Sequence, residues 1–80
     1  MTTREAVSDI MKRIKPTKDL ENVQDIVEGG YIDSFELMTL IATLADECHV
    51  DISIDEIVPE NFNSLDAIAK MVDTLLAKQG

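Results

Sequence analysis

Tryptophan is absent from this 80-residue sequence, aromatics make up only 4 %, and there is one cysteine and one histidine. A lone cysteine forms no internal disulfide, and the Cys/His count is too low for a metal cluster of that kind. With few aromatics, the 45 % of hydrophobic residues must build a core of Ile, Leu, Val, Met and Ala, a palette that suits packed helices. The three glycines include no phosphate-gripping Gly-rich loop. No segment approaches the roughly 20 apolar residues that cross a bilayer. Met1 to Ile14 has amphipathic spacing with acids rather than a basic start and an unbroken apolar run. The expectation is one soluble cytoplasmic domain over residues 1–80, without membrane insertion and too small for a deep catalytic cavity.

Positive charge is missing from the middle. No lysine or arginine occurs between Asp19 and Asp66, a span that holds thirteen of the sixteen acidic residues, and the net charge is -9. The basic residues sit at Arg4, Lys12, Arg13, Lys15 and Lys18 and again at Lys70 and Lys78. Nucleic acid is therefore a poor partner. A surface this one-signed accelerates encounters with basic patches on other proteins and repels its own copies, which argues for a monomer.

Thr2-Thr3-Arg4-Glu5 reads as a capping box, and Ala6, Val7, Ile10, Met11 and Ile14 follow at helical spacing until Pro16 stops the helix. Lys15 to Ile32 is a long connection, unusual in a small domain, in which Leu20, Val23, Ile26 and Val27 are spaced to tack it to the core and to form a short helical turn. Gly29-Gly30 marks a turn, Tyr31-Ile32 re-enters the core, and a second helix starts at Asp33 or Ser34 and runs to about Cys48. Val50, Ile52 and Ile54 alternate as a strand would, but no partner strand is visible, so a helical turn between Asp55 and Phe62 near Pro59 is expected instead. Ser64 caps a last helix with Leu65, Ile68, Ala69, Val72, Leu75 and Leu76 on its core face. The fold expected is all-α, a bundle of three main helices plus one short one.

Around the second helix, at 100° per residue, Glu36, Thr39, Thr43, Asp46 and Glu47 share a polar arc. Leu37, Leu40, Ile41, Leu44 and Cys48 lie opposite, and Phe35, Met38 and Ala42 widen the apolar arc beyond what a surface helix needs. Either the helix is packed on two sides or that flank is open to partners. Ser34 stands at the positive end of the helix dipole, where unpaired backbone N–H groups favour a phosphate ester, although Asp33 or Ser34 also suits a plain cap. Ser34 and His49 cannot form a nucleophile–base pair, because fifteen helical residues span about 22 Å. Cys48, near Asp46, Glu47 and Asp51, is in surroundings that raise a thiol pKa, so it reads as packing. Asp51, Ser53 and Asp55 open a calcium-loop pattern that fails at Glu56, where glycine is needed, and at Phe62, where a bidentate glutamate is needed.

In its order of elements the whole chain resembles the acyl carrier proteins and their D-alanyl and aminoacyl carrier relatives. A capped helix, a long loop ending in an apolar-glycine turn, Asp33-Ser34-Phe35 opening an acidic helix, a short turn near Pro59 to Phe62 and a closing helix follow that family's sequence. The resemblance implies that Ser34 receives 4'-phosphopantetheine from coenzyme A through a phosphopantetheinyl transferase, with Asp33 helping to engage that enzyme. It implies that Glu36, Asp46, Glu47, Phe35 and Met38, extended by Asp55 and Glu56, meet acyl- or aminoacyl-loading and processing enzymes through basic docking patches. Such binding is expected to weaken with salt and with charge reversal at Glu36 or Glu47. The carrier would have no catalytic site of its own and would hold acyl intermediates as thioesters in fatty-acid, polyketide or related biosynthesis. Phe35 where the family commonly has leucine, and Thr39 where fatty-acid carriers commonly have glutamate, leave room for a specialised pathway or for a D-alanyl or aminoacyl carrier. A reading of another class is an acidic helical adaptor in which Ser34 is only a cap.

Overall fold

The computed structural model describes residues 2–79, and these residues form an all-helical fold. Helix α1 (Thr3–Ile14) leads through a long loop to α2 (Ser34–Glu47). A 3-10 turn (Ile54–Glu56) and a four-residue α3 (Pro59–Phe62) then precede α4 (Leu65–Gln79). No strand occurs among the described residues, and Ile54, the third residue of the alternating run, is 83 % exposed.

Helix α1 starts as its sequence dictates. The Thr2 hydroxyl accepts from the Glu5 N–H at 3.1 Å and the Glu5 carboxylate accepts from the Thr2 N–H at 2.9 Å. That reciprocal pair satisfies two N–H donors that a helix start would otherwise leave open. Val7, Ile10 and Met11 are buried, and the helix packs against both α4 and α2. Ser64 caps α4 by accepting the Ala67 N–H at 3.0 Å. Helix α4 departs from its expected face. Met71 is buried, whereas Leu76 is 37 % exposed. The cause is a second neighbour: α3 packs on α4 as well as α1, which carries the buried arc round to Met71 and leaves the last turn partly uncovered.

The loop from Lys15 to Asp33 holds turns and bends but no helix; the short helical turn expected there is present as a single turn, in which the Gly29 N–H donates to the Asp25 carbonyl four residues back. The loop is fastened by apolar side chains and by one asparagine. Leu20 and Ile26 are buried, with Val23 and Val27 packed against the core. The Asn63 backbone carbonyl accepts the Ile26 N–H at 2.9 Å, and its side-chain oxygen accepts the N–H groups of Val27 and Glu28, each at 3.1 Å. Its amide group also donates to Glu28 at 2.6 Å. Four contacts thus tie the loop to the α3–α4 junction and satisfy backbone donors that the loop itself leaves unpaired. Two glycines then turn the chain toward α2. A Cβ on Gly29 would stand 2.6 Å from the Asp25 carbonyl oxygen, and Gly30 has φ of 76°, a conformation that glycine adopts without steric cost.

Candidate functional site

Ile32 is buried next to this turn, which anchors the backbone immediately before α2. The Asp33 carboxylate accepts the Glu36 N–H at 2.7 Å, and the Glu36 carboxylate accepts the Asp33 N–H at 2.9 Å. Of the two candidate caps, Asp33 therefore holds the position, and Ser34 becomes the first residue of the helix proper. Ser34 is exposed. Its hydroxyl is released from capping at the point where the backbone N–H groups of the first turn lack intrahelical acceptors and the macrodipole is positive.

A groove of about 250 Å³ opens beside Ser34, lined by Val27, Ile32, Asp33, Ser34 and Leu37. Three of its five lining residues are aliphatic, so it offers an apolar bed next to an accessible alcohol and a dipole suited to a phosphate. Among the described residues no side chain is hydrogen-bonded to that alcohol, and the neighbouring Asp33 carboxylate is engaged by the Glu36 N–H. Glu36 is committed to the capping box and to Lys15, whose ammonium lies 2.9 Å away. His49 is beyond the far end of α2 in a left-handed conformation, φ 57°, with its carbonyl accepting from Gln79 at 2.9 Å. What the site presents is an exposed hydroxyl.

The other residues singled out from the sequence fall into two groups. Phe35 is 80 % exposed and Met38 57 %, and Ala42 and Asp46 are exposed as well. The flank beside Ser34 is therefore open rather than packed. Glu36 and Glu47, in contrast, turn toward α1. Arg13 clasps Glu47 with both guanidinium ends, at 2.6 and 2.8 Å. Hydrogen bonds from Arg13 hold Glu47 below the usual carboxylate range, and those from the Asp33 backbone and then Lys15 do the same for Glu36. On the 3-10 turn Asp55 is exposed, while Glu56 is half-buried and accepts from the Ser53 hydroxyl. Burial, and secondarily Glu47, pushes the Cys48 thiol up, so it is a poor nucleophile.

Lys15, Arg13 and Asn63 were not legible as parts of this region, because their roles are contacts between distant segments. The Asp33–Glu36 box was legible from its spacing, since an acid three residues after an N-cap is the local signature.

The family model described as "Phosphopantetheine attachment site" matches residues 2–72 of the chain. The chain belongs to this family. Its domain is the site of covalent 4'-phosphopantetheine attachment, and the protein is a phosphopantetheine-carrying carrier. Carriers of this kind engage a phosphopantetheinyl transferase and partner enzymes, and are in general not catalysts themselves. No match was found among curated proteins. The exposed alcohol and the adjoining apolar groove leave room for a covalently attached group. Among the described residues no helix is long and apolar enough to cross a membrane.

Proposed function

We propose that Ser34 is the residue that bears the arm, and that the loaded carrier, one domain over its whole length, holds acyl intermediates as thioesters in a specialised acyl-transfer pathway. The observation that carries this reading is the division of labour at the start of α2: Asp33 caps, and the adjacent Ser34 alcohol stands exposed. In attachment, a bond forms between Ser34 Oγ and the pantetheine-side phosphorus as the pyrophosphate link of coenzyme A breaks, adenosine 3',5'-bisphosphate leaves, and the serine proton passes to a base of the transferase. The attached arm supplies the thiol that forms the thioester. Ser34 fixes where the arm starts, Asp33 keeps the helix end formed and faces the transferase, and Ile32 and Leu37 offer apolar surface along which the arm can rest. Phe35, Met38 and Asp46 make up the surface that partners meet, with Asp55 and Glu56 at its edge.

Phe35 and Thr39 favour specialised over housekeeping fatty-acid synthesis and keep the D-alanyl or aminoacyl carrier as the second reading. The adaptor reading gave Ser34 the capping role, and Asp33 occupies it. The modified protein is to be offered fatty acids and amino acids, each with its activating enzyme, and the hydroxylamine-labile adduct weighed. Acyl adducts support the proposal, and adducts of amino acids alone replace it with the aminoacyl reading.

A further inference from the structure

Asn63 governs the groove beside Ser34 without lining it. It ends α3 among three buried neighbours, Phe62, Ser64 and Leu65, and packing this close transmits a displacement rather than absorbing it. Its polar groups all turn to one short stretch of the long loop. The carbonyl accepts the Ile26 N–H, the side-chain oxygen accepts the Val27 and Glu28 N–H groups, and the amide donates to the Glu28 carboxylate. That stretch is closed on itself as well: the Ile26 carbonyl accepts the Tyr31 N–H at 3.0 Å, and the Val27 carbonyl accepts the Gly30 N–H at 3.1 Å. Val27 is one wall of the groove, and Ile32, the residue after Tyr31, is another. Both walls therefore hang from Asn63, whereas Ser34 and Leu37 ride on α2.

We propose that Asn63 is a positioning residue for the arm: it sets the walls along which an arm on Ser34 rests, and through it an occupied groove displaces the α3–α4 junction. The proposal rests on Ser34 being the attachment point. Val27, Ile32 and Leu37 offer aliphatic surface to the methyl and methylene groups of the arm, so seating the arm presses on the two walls that Asn63 holds. Coupling between two sites is reciprocal. A partner that shifts the α3–α4 junction thus changes how the arm sits, and a seated arm changes what a partner meets at α3. A strap that served stability alone would leave the junction blind to the arm.

The test compares amide resonances of the labelled carrier before and after a broad-specificity phosphopantetheinyl transferase adds the arm from coenzyme A. Three chains are compared: wild type, Asn63→Ala, and Asn63→Asp combined with Glu28→Gln. The double variant keeps the acceptor for the N–H groups of residues 27 and 28 and reverses the donor and acceptor between the two side chains, so it should behave as wild type. In wild type the arm is expected to shift Val27, Ile32 and Leu37 and also Phe62 to Leu65. In Asn63→Ala the shifts of Phe62 to Leu65 should be at least about threefold smaller, while Leu37 still responds. Circular dichroism checks folding, and Asn63→Ser, whose polar side chain is shorter by one bond, replaces Asn63→Ala should that variant not fold. A junction that ignores the arm in wild type, or responds equally without Asn63, overturns the proposal. So does a double variant that behaves as Asn63→Ala does. A wild-type chain that takes up no arm overturns the Ser34 reading beneath it, a failure that intact mass reveals before any spectrum is compared.

Discussion

Two helices of this carrier begin with the same device and use it differently. At Thr2-Thr3-Arg4-Glu5 and at Asp33-Ser34-Phe35-Glu36, a polar cap and a glutamate three residues on exchange hydrogen bonds, and a hydroxyl residue takes the first helical position. In α1 that hydroxyl is consumed, as Thr3 donates to Asp73 at 2.6 Å. Arg4, the next residue, is consumed as well by Asp66 at 2.7 Å and Glu21 at 3.0 Å. In α2 the hydroxyl of Ser34 and the ring of Phe35 are exposed. One start is spent on holding the bundle together, and the other is held in place so that it can be spent on something else. An identical local motif therefore does not define a site; what its two central side chains touch does.

The comparison breaks most severely at Asn63, because the α2 start depends on a loop strapped from outside while the α1 start does not. Asn63→Ala removes the acceptor from one part-buried and one exposed backbone N–H group and should cost about 1–2 kcal/mol. Chemical denaturation measures the loss, and amide exchange should accelerate at Val27 and Glu28 before it does in α1. Equal acceleration in both places would remove the strap from the account. Next in size are the caps: Thr2→Ala and Asp33→Ala should each cost about 1 kcal/mol in thermal unfolding.

A sharper contrast follows from the first helical positions. Thr3→Val deletes a hydroxyl that has a partner and should lower stability by about 0.5–1.5 kcal/mol. Ser34→Ala deletes one that does not cap the helix and should fall within about 0.5 kcal/mol of wild type. A large loss for Ser34→Ala would mean that its oxygen has a structural role.

The smallest effect is in pH. Hydrogen bonds to their ionised forms hold Glu5 and Glu36 below the ordinary 4.5, through the Thr2 backbone for Glu5 and through the Asp33 backbone and then Lys15 for Glu36. A lowered folded-state pKa stabilises the fold above the unfolded value, and that stability is lost as pH falls through the folded value. The melting temperature should thus hold down to about pH 5 and decline below about 4.5. Glu36→Gln should flatten that decline more than Glu5→Gln, since only Glu36 also pairs with a lysine. A melting temperature that rises between pH 4.5 and 3 would contradict this.

Much of this architecture follows from local rules. The Thr2–Glu5 box, the stop before Pro16, the Gly29-Gly30 turn and the Ser64 cap are each written in four or five adjacent residues, and the all-helical bundle follows from them. The exposed serine was legible for the same reason. What escaped is non-local. Leu76 and Met71 exchange roles because α3 covers one flank of α4. Glu36 and Glu47 reach ion-pair partners, Lys15 and Arg13, at the end of α1, Glu47 while still exposed, and Asn63 fastens a loop whose apolar spacing suggested only a short helical turn. Helical periodicity gives the direction of a side chain but not which neighbour waits there.

The central claim, that the α2 hydroxyl and no other bears the arm, is tested most directly by mapping the modified residue. After treatment with the transferase and coenzyme A, peptide mass spectrometry should find one phosphopantetheine, on the peptide containing Ser34, with the Thr3 peptide unchanged and no added mass in Ser34→Ala. An arm on any other hydroxyl, or one that persists in Ser34→Ala, would contradict it.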